Sequence, residues 1–314
     1  MKNVKKEVLA IVGPTATGKT ALSVALAEKM KGEIICCDSM QIYDRMQIGT
    51  ARPTPAEMGG VTHHLFGFCA PDAPFSCADY VRMATQTADG LLAAGTTPVF
   101  CGGTGLYLES LLRGNHFEKT AGSTALRRQL NERYESEGIE PLYAELQAID
   151  PQSAAEIHPN NVKRVIRALE IYLATGRPKS VWDAESRTAP PRYEALIIGL
   201  DFADREVLRR RIYARVDKML EQGLEQEARA LWEAGLLDGN GTAAQAIGYK
   251  ELVPYFRGEV PLAQAAEQIK LATARYAKRQ LTYFRRMPGI CWLYADETDV
   301  MNSALALAKE AEML

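Results

Sequence analysis

The residues Gly13-Pro14-Thr15-Ala16-Thr17-Gly18-Lys19-Thr20 fill every fixed position of G-x-x-x-x-G-K-[ST]. The chemistry that this spacing offers is anion capture. Glycines let backbone N–H groups converge on phosphate oxygens, and the N-terminus of a following helix adds its dipole. Lys19 contributes a point charge, and the Thr20 hydroxyl is placed to reach a metal bound to the phosphates. The flanks agree. Val8-Leu9-Ala10-Ile11-Val12 is a short apolar run with the signature of a buried strand, and Ala21 to Met30 carries apolar residues at helical spacing. Strand, turn and helix together are expected to hold a diphosphate or a triphosphate.

A second group of residues falls at the ends of other strands. Glu33-Ile34-Ile35-Cys36-Cys37-Asp38-Ser39 reads as a buried strand that ends in an acid. In a parallel sheet, ligands lie beyond the carboxyl ends of the strands, so Asp38 is expected near the phosphates; a cap or surface turn is the other use of such an acid. Thr97-Pro98-Val99-Phe100-Cys101 is a further strand, followed by Gly102-Gly103-Thr104-Gly105, which is expected to face the same cleft. Ordinary NTPases often place a metal-holding acid at such a strand end. Glycine stands there in this chain, which weakens a reading of NTP hydrolysis. The doubled His63-His64 offers a catalytic pair or an anchor for its loop, and the second use is expected.

Basic residues form three groups. Lys163, Arg164 and Arg167 fall within about a turn of one another. Arg205, Arg209, Arg210, Arg211 and Arg215 stand against the single acid Glu206, with Arg211 and Arg215 on one helix face. Arg275, Lys278, Arg279, Arg285 and Arg286 interleave with Tyr276, Tyr283 and Phe284. Charge beside aromatic rings suits RNA, phosphates through the cations and splayed bases through stacking; a solvated helix with core aromatics is the alternative.

The elements that position these residues follow an α/β pattern as far as about Arg113. From Asn115 to Pro191 strand signals vanish and three helical stretches take over: Ser123–Glu137, Glu140–Ala148 and Asn161–Thr175, the last ending at Gly176. Arg113–Thr120 and Arg187–Arg192 read as joints. Strand character returns at Ala195–Leu200, then two long basic helices, a strand at Cys291–Tyr294 and a closing helix. The expected organisation is an α/β core split into residues 1–114 and 192–314, with an all-α insertion at 115–191.

Composition narrows the class. Hydrophobic residues make up 47% and charged residues 24% of 314 residues, ordinary values for a soluble globular enzyme. No apolar run approaches the roughly 18 residues of a membrane span, and the N-terminus lacks a signal peptide's apolar core. Six cysteines without a C-x-x-C pair read as reduced core residues of a cytoplasmic protein, and four histidines form no zinc pattern with them. A net charge of −2 leaves nucleic-acid binding to local patches. With no apolar stripe left over, a monomer without an obligate protein partner is expected.

The phosphate loop, Asp38-Ser39-Met40-Gln41-Ile42-Tyr43, Ile48-Gly49-Thr50-Ala51-Arg52-Pro53, His63-His64-Leu65, Gly102-Gly103-Thr104-Gly105-Leu106-Tyr107, Arg167-Ala168-Leu169-Glu170, Gln245-Ala246-Ile247-Gly248-Tyr249-Lys250-Glu251 and Tyr276-Ala277-Lys278-Arg279-Gln280 occur in that order. Together they resemble the bacterial tRNA dimethylallyltransferases, or tRNA isopentenyltransferases, over about residues 7 to 290. Thr17 replaces a common serine, Met40 departs from the usual aspartate segment, and Tyr283 stands where tryptophan is frequent. The zinc finger of eukaryotic relatives has no counterpart after residue 291.

The resemblance implies a P-loop NTPase-like core, a parallel sheet flanked by helices. It implies transfer of a dimethylallyl group from dimethylallyl diphosphate to the exocyclic N6 of the adenine next to the anticodon, in tRNAs reading codons that begin with U. Gly13, Pro14, Thr15, Ala16, Thr17, Gly18, Lys19 and Thr20 would then hold a diphosphate leaving group, with Mg²⁺ on Thr20, and no NTP hydrolysis is needed. Asp38 would accept the N6 proton, and Arg215 or Arg211 would clamp the far side of the diphosphate. Asp38, Ser39, Met40, Gln41, Thr104, Val162, Lys163, Arg164, Val165 and Ile166 are the tRNA contacts that the resemblance implies, and Arg275, Lys278 and Arg279 join them from the basic patch. The partner would be an anticodon stem-loop, whose target base leaves its stack at a cost of a few kcal/mol. Two other activities share parts of this pattern: an ATP-dependent phosphotransferase acting on a small molecule, and a prenyltransferase acting on free adenine nucleotides. Neither needs the insertion or the basic helices.

Overall fold

A computed structural model describes residues 7–114, 123–188, 190–239 and 241–314. The chain divides into two compact units, Met1–Leu112 with Arg192–Leu314, and Arg113–Pro191. Residues 115–120 of the first expected joint, and Ala189 of the second, lie outside the described residues.

The first unit is built on β1 (Val8–Val12), whose residues are all buried. Val8, Ala10 and Val12 face one core cluster, and Leu9 and Ile11 face the other, the alternation of a strand covered on both sides. After it come α1 (Lys19–Met30), β2 (Glu33–Cys36), α2 (Pro55–Met58), β3 (His63–His64), α3 (Cys77–Ala93), β4 (Pro98–Cys101) and α4 (Gly105–Arg113). Ser76 and Asp79 form the capping box that opens α3, as their spacing predicts. The helical unit holds α5 (Ser123–Glu137), α6 (Glu140–Ile149), α7 (Pro151–Glu156), α8 (Val162–Thr175) and α9 (Lys179–Thr188). The first unit then resumes with β5 (Ala195–Asp201), α10 (Arg205–Glu221), α11 (Leu224–Glu233), α12 (Val253–Phe256), α13 (Leu262–Phe284), β6 (Ile290–Tyr294) and α14 (Val300–Glu310).

Among the described residues the strands form one parallel sheet in the order β3-β2-β4-β1-β5-β6. The chain fills the β2 side of β1 first and the β5 side later, so the order reverses at β1, where ligand crevices form in open α/β sheets. One face is covered by α3 and α4 with Phe284 of α13, and the other by α1 and α14. The doubled histidine makes the short edge strand β3 rather than the loop its sequence suggests. His64 Nε2 lies 2.6 Å from Glu33 Oε2 and His63 Nδ1 donates to Val61 O at 2.8 Å, so both rings tie the edge to its neighbours.

In the helical unit α5, α6, α7 and α8 share one core, with Leu130, Leu142, Leu146, Val165 and Leu169 at its centre. The buried Glu170 carboxylate is satisfied by Arg127 and by Arg167 at 2.8 Å. Gly176 ends α8 at φ 70°, a left-handed conformation that glycine adopts without strain.

Candidate active site

The phosphate loop leaves β1 at Gly13, whose φ is 133°; a Cβ there would stand 2.2 Å from Leu200 O on β5. Only glycine allows that exit. Thr17 Oγ1 and Lys19 Nζ both donate to Pro14 O, at 2.9 and 2.7 Å, and fold the loop over α1. Gly18, the N-cap of α1, has φ 94° and no side chain to cap the first turn, which leaves the first N–H groups of α1 available to an anion. Ala16 adopts φ 66°, unusual for a residue with a Cβ. Two helices hold it there. Arg211 Nε on α10 donates to Ala16 O at 3.0 Å, and Gln280 Oε1 on α13 accepts the Thr15 N–H at 2.9 Å.

Asp38 lies two residues beyond β2, which ends at Cys36 rather than at the acid itself. Its Oδ1 accepts the Met40 N–H at 2.9 Å, which fixes the carboxylate in a turn. Thr104 Oγ1 accepts the Ser39 N–H at 2.9 Å, tying the Asp38 segment to the second glycine cluster. That cluster allows three close approaches. A Cβ would stand 2.0 Å from Cys37 O at Gly102, 2.0 Å from Gln280 Nε2 at Gly103, and 2.3 Å from the Tyr283 ring at Gly105. Tyr276, Gln280 and Tyr283, spaced four and three apart, thus form the face of α13 that meets these loops.

A cleft of about 1180 Å³ in the first unit gathers Lys19, Thr20, Asp38, Gln41, Arg215, Tyr276 and Gln280 along its wall. Burial pushes the Lys19 ammonium down to about 8, with the charge of Arg215 adding to the shift and that of Asp38 opposing it. Burial, then the nearby Asp38 charge, raises the Tyr276 phenol well above its ordinary value and keeps it protonated. The far wall is the segment Gln47–Pro53. Its shape is set by one carboxylate: Glu227 on α11 accepts the N–H groups of Gln47, Ile48 and Gly49 at 2.9 to 3.0 Å and the Tyr249 hydroxyl at 2.7 Å. A Cβ at Gly49 would stand 2.5 Å from the Tyr249 ring, so the two segments meet only because residue 49 is glycine. Gln41 Nε2 donates to Thr50 O and Ala51 O at 3.0 Å and joins this wall to the Asp38 segment.

Several residues stand differently from their expected roles. Arg211 and Arg215 both line the cleft, and the Nε of Arg211 also donates to the loop backbone. Arg205 is held in a two-pronged ion pair with buried Asp201, at 2.8 Å on each oxygen, so it braces β5. Phe284 is fully buried in the sheet core, and Tyr283 packs on Gly105 and donates to Glu109. Of the three aromatics on α13, Tyr276 alone lines the cleft. In the helical unit Lys163 and Arg164 are exposed, but the side chains of Val165 and Ile166 belong to the core, because α8 turns that face inward. Arg275, Lys278 and Arg279 are exposed. Glu227 and Gln280 carry much of the site's geometry: no sequence signal marks Glu227, and Gln280 stands in the Tyr276–Gln280 segment without a role assigned to it. No group of three or more His, Cys, Asp or Glu side chains able to hold a metal occurs among the described residues.

Comparison with known proteins places this arrangement. The family profile described as IPP transferase matches residues 41–287, and one described as isopentenyl transferase matches residues 6–66. The tRNA dimethylallyltransferase of Geobacillus kaustophilus is 48% identical over 294 residues, covering 94% of this chain and 91% of that protein. The chain belongs to the IPP transferase family. A second family member, the tRNA dimethylallyltransferase of Acetivibrio thermocellus, is 46% identical over 292 residues and is matched over 93% of both chains. Among solved IPP transferases, the tRNA isopentenylpyrophosphate transferase of Bacillus halodurans superposes with a TM-score of 0.72 at 40% identity, over 98% of this chain and 97% of that one. A eukaryotic dimethylallyltransferase, captured in crystallographic snapshots acting on tRNA, gives a TM-score of 0.83 at 30% identity, over 96% of this chain and 78% of that one. Among the described residues of this IPP transferase, no helix is long and apolar enough to cross a membrane.

Proposed function

We propose that this chain transfers the dimethylallyl group of dimethylallyl diphosphate to N6 of the adenine next to the anticodon of a tRNA. One observation carries the reading: the phosphate loop and a fixed carboxylate, Asp38, open into the same cleft. N6 attacks the allylic carbon, the bond from that carbon to the diphosphate oxygen breaks, and its electron pair leaves with the diphosphate. Asp38 accepts the N6 proton. Its Oδ1 is occupied by the Met40 N–H, which leaves Oδ2 for that proton. The loop N–H groups, Lys19 and Arg215 stabilise charge growing on the leaving group, and Arg211 keeps the loop in shape.

The site suits Mg²⁺ brought in on the diphosphate. Thr20 supplies one hydroxyl at the mouth of α1, and the remaining ligands would be phosphate oxygens and water. Such an ion would neutralise leaving-group charge. The relatives' names favour tRNA over a free nucleotide as acceptor, and the exposed Lys163, Arg164, Arg275, Lys278 and Arg279 supply phosphate contacts that a small acceptor would not use. The test is incubation with labelled dimethylallyl diphosphate and either tRNA, AMP or ATP. Label is expected in tRNA; label in AMP or ATP instead would overturn the reading.

A further inference from the structure

We propose that Gln280 is a positioning residue that links helix α13, which carries the RNA-facing cations, to the diphosphate site. The residue is 5% exposed, and its side chain uses both ends of its amide. Oε1 accepts the Thr15 N–H at 2.9 Å, and Nε2 donates to Gly103 O at 3.0 Å. The phosphate loop and the glycine cluster beside Asp38 are thereby fastened to one residue of α13. The neighbouring Lys278 and Arg279 are exposed, and Arg279 also lines the cleft.

The bond to Thr15 falls where the loop needs support. Ala16 is the next residue, and its left-handed backbone is strained for a residue with a Cβ. Such strain persists where the surroundings over-determine it. Arg211 holds the Ala16 carbonyl from α10, and Gln280 holds the preceding N–H from α13. Resting on the reading that RNA docks on α13 and a diphosphate in the loop, the link has a thermodynamic consequence. RNA that orders α13 also orders the loop through Gln280, so the second ligand meets a smaller ordering cost. By linkage the effect is reciprocal.

The test measures binding of inorganic pyrophosphate by calorimetry, with and without a saturating anticodon stem-loop RNA, for the wild type and for Gln280→Met. Methionine keeps the length and loses both hydrogen bonds. In the wild type RNA is expected to tighten pyrophosphate about tenfold, within the usual range of coupling between sites. In Gln280→Met that tightening should fall below about twofold, while RNA affinity stays within about twofold of wild type. A residue that only stabilised the fold would weaken both ligands and leave the coupling in place. Gly103→Ala is the second variant, because its Cβ would stand 2.0 Å from Gln280 Nε2 and push the amide away. It should lose the coupling in the same way. Full coupling in both variants, or none in the wild type, overturns the inference. A wild type that binds neither pyrophosphate nor RNA overturns the functional reading and this inference with it.

Discussion

Replacing Glu227 with glutamine probes how the far wall of the cleft is built. The carboxylate accepts three backbone N–H groups and the Tyr249 hydroxyl. A glutamine amide offers one oxygen, and its NH₂ group would face N–H donors, so about two of the four hydrogen bonds are lost. Hydrogen bonds to a charged group are worth about 1.5–3 kcal/mol each, and the half-buried position of Glu227 lets water replace part of the loss. The expected destabilisation is about 2–4 kcal/mol, which lowers the thermal midpoint by roughly 3–6 °C for a chain of this size. Tyr249→Phe removes a single bond and should cost about 1 kcal/mol. The two substitutions share a partner, so the double variant should fall short of their sum. Gln47–Pro53 should lose its shape while the phosphate loop keeps its own, so transfer to tRNA should fall with pyrophosphate affinity nearly unchanged. Thermal melting, calorimetry and the labelled-transfer assay give the three readings. A Glu227→Gln variant with wild-type melting and wild-type transfer would refute the account of this wall.

Lys19 gives a pH prediction. Its ammonium is held near 8 in the free site, and a bound diphosphate favours the charged form and raises that value. Below about 8 the ammonium is present before binding and affinity is flat. Above it Lys19 must take up a proton on binding, so the pyrophosphate dissociation constant should rise by up to about tenfold per pH unit, with proton uptake visible in buffers of different ionisation heat. Gly105→Ala forces a Cβ to within 2.3 Å of the Tyr283 ring and should cost about 1–3 kcal/mol in denaturant melts. Lys278→Ala/Arg279→Ala should flatten the slope of log affinity against log salt for tRNA by up to about 1.4, at about 0.7 per phosphate contact, with pyrophosphate binding unaltered; an unchanged slope would put both residues in solvent.

What the sequence made legible was local chemistry. The phosphate loop stands between β1 and α1 because glycine spacing, an apolar run and helical periodicity are all short-range signals. The same holds for Asp38 after β2 and for the capping box of α3. Helix α4 was hidden because Gly102–Gly105 reads as loop and its apolar residues follow at once. Its glycine start answers to Tyr283, a partner from the other half of the chain. Helices α7 and α9 are short and polar, and α7 opens on Pro151 directly after α6, which blurs the boundary. Glu227 looks like one more acid on a charged helix, since the N–H groups that need it are about 180 positions away. Gln280 is a polar residue inside a basic helix, and its partners lie 265 and 177 positions distant. Buried polar anchors of this kind are set by tertiary geometry and leave no periodic trace. The aromatic residues of α13 show the converse: interleaving with cations pointed to base stacking, yet Phe284 and Tyr283 serve packing.

Asp38 is proposed to take the proton from the nucleophile in a prenyl transfer driven by departure of the diphosphate. Single-turnover transfer from labelled dimethylallyl diphosphate to tRNA by Asp38→Asn tests it most directly, because asparagine keeps the size and can still accept the Met40 N–H. The expected rate is about 10²–10⁴-fold lower, the usual worth of a positioned general base, with tRNA and pyrophosphate affinities within about twofold of wild type. Transfer at the wild-type rate would contradict it and remove Asp38 from the chemistry.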